Sequence, residues 1–167
     1  MDKSENLLKI FTYALNQEMI MKRFFQTSRQ DMTMGTAKLA FERLIEDEDQ
    51  HIEELRRIIQ GLHTGPRWVR GSAERLRFEP KIYFDRKAKK QFLEECQKGS
   101  AAPDVCIFNT AWVMEKEMAA FYERMAEQTE GQASKVLFLL AEWEKGHEAF
   151  FRDYHERLSQ FYSSIYG

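Results

Sequence analysis

The chain has 167 residues, of which 43% are hydrophobic and 31% charged, with three prolines, a net charge of −2 and a pI near 6.1. This composition excludes a disordered chain and suits long amphipathic helices in one domain spanning residues 1–167. No basic excess draws the whole molecule to nucleic acid or to an anionic lipid surface.

Apolar residues recur three and four apart in four long stretches bounded by helix-stop signals. The first is expected from Ser4, an N-cap residue, to Ser28, and the second from Thr36 to Gln60 with Gly61 as the residue that ends it. The third opens with Pro103 in the first helical turn and closes before Gly131, and the fourth runs from Gln132 to Ser163. The short connections predict two antiparallel hairpins, whereas Leu62 to Ala102 is long enough to carry the chain from one end of a bundle to the other. The expected fold is an all-α four-helix bundle with one long crossover between helices two and three.

That crossover contains Gly65, Pro66, Gly71 and Pro80, then a short helix expected from Asp85 to Gln97. Between Arg67 and Lys90 it holds nine basic residues, Arg67, Arg70, Arg75, Arg77, Lys81, Arg86, Lys87, Lys89 and Lys90, against Glu74, Glu79 and Asp85. A run of this kind is ordinarily a solvated linker face that pairs with acidic helix surfaces such as Glu53 and Glu54. The second reading is a docking patch for an acidic partner.

The two halves of the chain repeat. A shift of 97 lays Phe11 on Phe108, Ala14 on Ala111, Glu18 on Glu115, Met21 on Met118 and Phe25 on Tyr122, and a shift of 96 lays Leu44 on Leu140, Glu48 on Glu144, His51 on His147 and Leu55 on Phe151. A pseudo-twofold bundle follows.

Glu48 and His51, and likewise Glu144 and His147, stand three apart and so share one helix face. Glu18 and Glu115 lie on core-facing stripes, so four carboxylates are aimed into apolar surroundings. Such groups take up protons or coordinate cations, and two divalent ions balance four carboxylates with both histidines neutral. One Glu from each of two helices plus a Glu-x-x-His pair from each of the other two is the ligand set of di-iron and di-manganese carboxylate bundles. Glu18, Glu48, His51, Glu115, Glu144 and His147 are thus the expected ligands of two iron ions per chain, with manganese and zinc as alternatives; the lack of thiolates argues against a structural zinc site. His63 and His155 are read as solvent or packing residues, and Met21 and Met118 as core fill.

The polar stretch Met1 to Asn6 does not read as a secretory signal, and the longest apolar run, Val136 to Ala141, is far short of a membrane span. A cytoplasmic protein that uses no membrane is expected. Cys96 and Cys106 form no CxxC pair, so they are read as reduced thiols, and no rubredoxin-type or zinc-ribbon module is present in the sequence.

The strings Glu115-x5-Phe121-Tyr122 and Glu18-x5-Phe24-Phe25, with the two Glu-x-x-His pairs and the long crossover, resemble the rubrerythrin branch of the ferritin-like superfamily. The resemblance covers the four helices. It implies the six residues above as ligands, Glu48 and Glu144 as bridging carboxylates, Tyr122 as a hydrogen-bond donor to a ligand, a homodimer, and reduction of peroxide or dioxygen. Three features depart from the family pattern. Met118 stands where rubrerythrins carry a further Glu, Phe25 replaces the tyrosine of the first helix, and no rubredoxin domain supplies electrons, so an external electron-transfer protein of acidic surface is expected as the donor. The departure at Met118 makes the symmetric set look more like the ferroxidase centre of bacterioferritin. The alternatives to a peroxide- or dioxygen-reducing enzyme are a ferroxidase that stores iron and a bundle stapled by a structural metal.

Overall fold

The computed structural model describes residues 3–32, 35–64, 72–76, 87, 90, 94 and 102–166. Four long helices make up nearly all of it: α1 (Lys3–Asp31), α2 (Gly35–Thr64), α4 (Ala102–Glu127) and α5 (Gly131–Tyr166), with the single turn α3 (Ser72–Arg75) between the second and the third. No strand occurs among the described residues. The expected short helix from Asp85 to Gln97 lies outside the described residues, except that Lys87, Lys90 and Glu94 are helical and exposed.

Direction is fixed by the pairs that cross between helices. Lys22 pairs with Asp49 and Arg29 with Glu42, so α1 and α2 run antiparallel. In α4 and α5, Glu123 pairs with Lys145, Trp112 Nε1 donates to Glu148 Oε1 at 3.4 Å, and Asn109 meets His155, which again is antiparallel. Phe41 of α2 packs on Phe108 of α4, each seven residues before a ligand candidate, so α2 and α4 run parallel. Parallel neighbours cannot be joined by a tight turn, which is why the chain needs the crossover.

The α4–α5 turn is closed by side chains. Thr129 Oγ1 donates to Met125 O at 2.8 Å and Ser134 Oγ to Ala126 O at 2.8 Å, satisfying carbonyls that the end of a helix leaves over. Gly131 opens α5 at φ 64°, in the left-handed region where glycine carries no steric penalty.

Three helix ends differ from the sequence expectation. Helix α2 does not stop at Gln60; it passes through Gly61 to Thr64, whose hydroxyl donates to the carbonyls of Gln60 and Gly61 at 3.2 and 3.1 Å. A glycine inside a helix costs only about 1 kcal/mol, and Leu62, packed on the core, offsets it. Helix α1 likewise continues past Ser28, which is buried, to Asp31, and α5 continues to Tyr166.

The core is layered. Phe25, Phe41, Phe108 and Phe151, one from each long helix, form a closed aromatic layer with ring centroids 5.4 to 6.1 Å apart. Each of the four is seven residues, two helical turns, from a ligand candidate, on the same side along the bundle. Phe11, Leu55, Tyr122 and Leu137, all fully buried, lie two turns from the same glutamates in the opposite direction along their helices. The polar residues of the middle layer therefore sit between two apolar ones. Van der Waals contact and exclusion of water on both sides hold that layer in place.

Candidate metal centre

The structure brings all six ligand candidates together. Glu18 from α1, Glu48 and His51 from α2, Glu115 from α4, and Glu144 and His147 from α5 are at most 1% exposed. Their donor atoms form two overlapping groups, Glu18–Glu48–His51–Glu144 and Glu48–Glu115–Glu144–His147, with the atoms of each group within 4.8 Å of one another. Glu48 and Glu144 belong to both. His51 Nδ1 lies 3.0 Å from Glu144 Oε1, 3.6 Å from Glu18 Oε2 and 3.7 Å from Glu48 Oε2. His147 Nδ1 lies 3.3 to 3.5 Å from oxygens of Glu115, Glu48 and Glu144.

As carboxylates these groups face one another with almost no donor between them. Glu18 Oε1 accepts a hydrogen bond from the Tyr122 hydroxyl, and the other seven oxygens of the four glutamates have no hydrogen-bond partner, nor does either ring nitrogen of His51. Orphaned buried acceptors of this number would cost several kcal/mol. Two divalent cations would satisfy all of them with oxygen and nitrogen donors that suit iron or manganese. The residues present therefore fit the metals that the donor pattern implies.

Without cations the cluster must rearrange its protons. Burial, and then the neighbouring carboxylates, push Glu18 and Glu115 well above the usual carboxylate range. Burial would raise Glu48 and Glu144 as well, but the close approach of Glu18 to the first and of Glu115 to the second, together with the histidines, holds these two below it. Burial disfavours charged imidazole, yet Glu18 beside His51 and Glu115 beside His147 keep both rings protonated well above the usual histidine range. Burial and Glu18 push the Tyr122 phenol well up, so it stays a donor.

Two neighbours of the histidines are absent from the sequence expectation. Asp47, fully buried, lies with Oδ2 3.2 Å from His147 Nε2. Trp143 stands edge-on to His51 at 5.4 Å, and its Nε1 donates to Leu76 O at 2.8 Å. Both positions immediately precede a candidate ligand glutamate and lie four before a histidine, which is the signal that could have found them. Glu54 was also missed as a buried group: Arg75 Nε and Nη2 clamp its two oxygens at 2.6 and 2.8 Å. Burial would raise the Glu54 carboxyl, but Arg75, with Ser72 and Arg57, holds it below the usual range. One of the nine basic crossover residues is thus used inside the chain. His155 stacks on Trp112 at 5.0 Å and His63 is exposed at the end of α2, so neither joins the cluster.

A groove of 360 Å³ between α1 and α4 is lined by Tyr13, Gln17, Met21, Met118, Phe121 and Arg124, among others. Met21 and Met118 are each three residues beyond a ligand candidate, so this groove overlies the side of the cluster that carries the two lone glutamates. No described helix is long and apolar enough to cross a membrane, and Cys106 is a free, exposed thiol.

A four-helix bundle with a long crossover and two core Glu-x-x-His pairs facing two lone glutamates defines the class of ferritin-like carboxylate bundles. Within it the chain belongs to the rubrerythrin family, whose family model matches residues 9–155. No curated protein and no solved structure matches the chain.

Proposed function

We propose that Glu18, Glu48, His51, Glu115, Glu144 and His147 hold two iron ions, and that the loaded protein is an oxidoreductase that reduces peroxide or dioxygen with electrons from a separate carrier. The observation that carries this reading is the set of seven carboxylate oxygens buried without a hydrogen-bond donor, which only protons or cations can neutralise. Iron bound there would supply the redox chemistry. The chain's own contribution is position and exclusion. Glu48 and Glu144, whose oxygens belong to both donor groups, would serve both ions, Tyr122 orients Glu18, and the phenylalanine layer keeps bulk water away on one side. The groove lined by Met21 and Met118 lies between α1 and α4, the helices that carry the two lone glutamates, and would admit a small oxidant from that side. The protein works as a homodimer in the cytoplasm.

Metal analysis combined with rapid mixing tests this reading. Two irons per chain, oxidised quickly when the reduced protein meets peroxide or dioxygen, are expected. No bound iron, or bound iron that neither oxidant oxidises, overturns it.

A further inference from the structure

The repeat that relates Glu48 to Glu144 and His51 to His147 also relates position 47 to position 143, yet one holds aspartate and the other tryptophan. The imidazoles are therefore supported differently. His147 has Nδ1 turned into the cluster and Nε2 placed 3.2 Å from Asp47 Oδ2, so Nε2–H donates to the carboxylate and Nδ1 is the nitrogen that a cation would take in place of its proton. His51 also turns Nδ1 inward, but neither of its nitrogens has a hydrogen-bond partner, and the ring's neighbour is the edge-on indole of Trp143. That indole is not free to move aside, because its own N–H is committed to the Leu76 carbonyl.

A carboxylate behind a ligand histidine fixes the tautomer, orients the ring and raises its basicity. An indole does none of these. One observation weighs the other way: Glu18, in the His51 group, is oriented by the Tyr122 hydroxyl, and Glu115 has no counterpart because Phe25 stands at the related place. That bond comes from a neutral phenol and withdraws charge from the ligand. Both bonds end on a carboxylate and are charge-assisted, but the Asp47 carboxylate adds donor strength to its ligand where the phenol removes it.

We propose that Asp47 and Trp143 make the two cation positions unequal: the position formed by Glu48, Glu115, Glu144 and His147 binds a divalent cation more tightly and fills first, giving a defined one-metal state. This rests on the reading that the six residues hold two cations. Asp47 acts here as a positioning residue through His147.

The test is an anaerobic titration of the metal-free full-length chain with cobalt(II), followed by visible absorption and by calorimetry. Two phases of one ion each are expected, with dissociation constants separated by roughly 10- to 100-fold, the usual effect of such an outer partner. Asp47→Ala should weaken the tight phase by about that factor and leave the weak phase in place, merging the two. Asp47→Asn retains an acceptor for Nε2–H and should lose less, and the absorption bands of the one-metal species should shift in both variants. Circular dichroism shows whether each variant keeps its helices. If Asp47→Ala unfolds, the wild-type and Asp47→Asn titrations carry the test. Two equivalent ions in the wild-type chain would overturn the proposal and leave the two-metal reading standing, and no binding at all would overturn both. Two phases that neither substitution alters would remove Asp47 from the account.

Discussion

The Tyr122 hydroxyl of α4 donates to Glu18 Oε1 of α1, a bond that spans 104 residues of sequence and is fully buried at both ends. It is the one hydrogen bond made to the eight oxygens of the four candidate ligand glutamates. Tyr122→Phe removes the donor and leaves the ring, and the buried Phe25 at the related position shows that a phenylalanine suits such a place in this core. Loss of about 1–3 kcal/mol from the metal-free protein is expected, the cost of an unsatisfied buried acceptor. Urea unfolding of both proteins measures it, and an unchanged midpoint would mean that Glu18 finds another partner.

Metal loading should raise thermal stability, because a ligand that binds only the folded chain stabilises it by about 2.7 kcal/mol at a free concentration one hundred times its dissociation constant. Glu48→Gln and Glu144→Gln each remove a donor from both groups at once. Each variant should form the bundle, bind fewer than two metals and show less than the full metal-dependent rise in melting temperature. Equal melting of the metal-free and loaded wild-type protein would contradict the buried-site geometry.

The metal-free protein should lose stability as the solution turns alkaline. Glu18 and Glu115 titrate above their usual range, so the stability they contribute is complete below the unfolded value of about 4.3 and is lost as pH rises through the raised value. His51 and His147 act in the same sense above their unfolded value of about 6.5. Glu48 and Glu144, held low, contribute above about 4.3 and lose that contribution only as pH falls through their lowered values. Urea midpoints of metal-free protein should therefore fall between about pH 6 and pH 9, while metal affinity rises as protons leave Glu18, Glu115, His51 and His147. A midpoint that rises over that interval would show that the cluster does not hold these protons.

Met118 is buried three residues beyond Glu115 and lines the groove. Met118→Glu would place a fifth carboxylate on the face of that ligand. The expected outcome is a higher ratio of peroxide to dioxygen turnover in the iron-loaded protein, with a lower stability of the metal-free form because the new carboxylate is then buried without a partner. Parallel assays with the two oxidants decide the first point, and an unchanged ratio with iron still bound would detach the missing glutamate from oxidant choice.

An acidic electron carrier should dock on the crossover. Arg75 is excluded from that surface by its clamp on Glu54, whereas Lys87 and Lys90 are exposed. Arg86 and Lys89 lie outside the described residues. Charge reversal at Arg86, Lys87, Lys89 and Lys90 together should slow reduction by the carrier at low salt and leave oxidation of the reduced site by peroxide as it was. Rising salt should produce the same slowing, since exposed charges are screened over about 8 Å at physiological ionic strength. If the reversal instead lowers stability and leaves reduction alone, the basic run serves the fold.

The middle of the bundle was legible in the sequence because helical spacing and the internal repeat constrain the same residues twice. Glu48 and His51 had to share a face, and the repeat required Glu144 and His147 to do likewise. The helix ends were not legible in the same way. Gly61 reads as a stop on local grounds, but the packing of Leu62 and the Thr64 hydroxyl over the last carbonyls outweigh a penalty of about 1 kcal/mol. Asp47 is not singled out by the sequence because an aspartate beside a glutamate and followed by another aspartate looks like a solvated acidic run, and the structure buries it beside the expected core residue Glu48 while Asp49 is exposed. The pairing of Arg75 with Glu54 is one that the basic run was expected to make, but Glu54 was expected on the surface, and its burial beneath Arg75 follows from no periodic relation between residues 21 apart.

The distribution of donors between the two hairpins makes the cluster a question of assembly. The first group takes Glu18, Glu48 and His51 from the α1–α2 hairpin and Glu144 from the other, and the second takes Glu115, Glu144 and His147 from the α4–α5 hairpin and Glu48 in return. Each hairpin thus owns three-quarters of one candidate donor set and lends a single glutamate to its counterpart. Neither half of the polypeptide, produced alone, has a complete set, so a chain divided within the crossover would be a pair of fragments whose association responds to divalent metal and is reversed by a chelator.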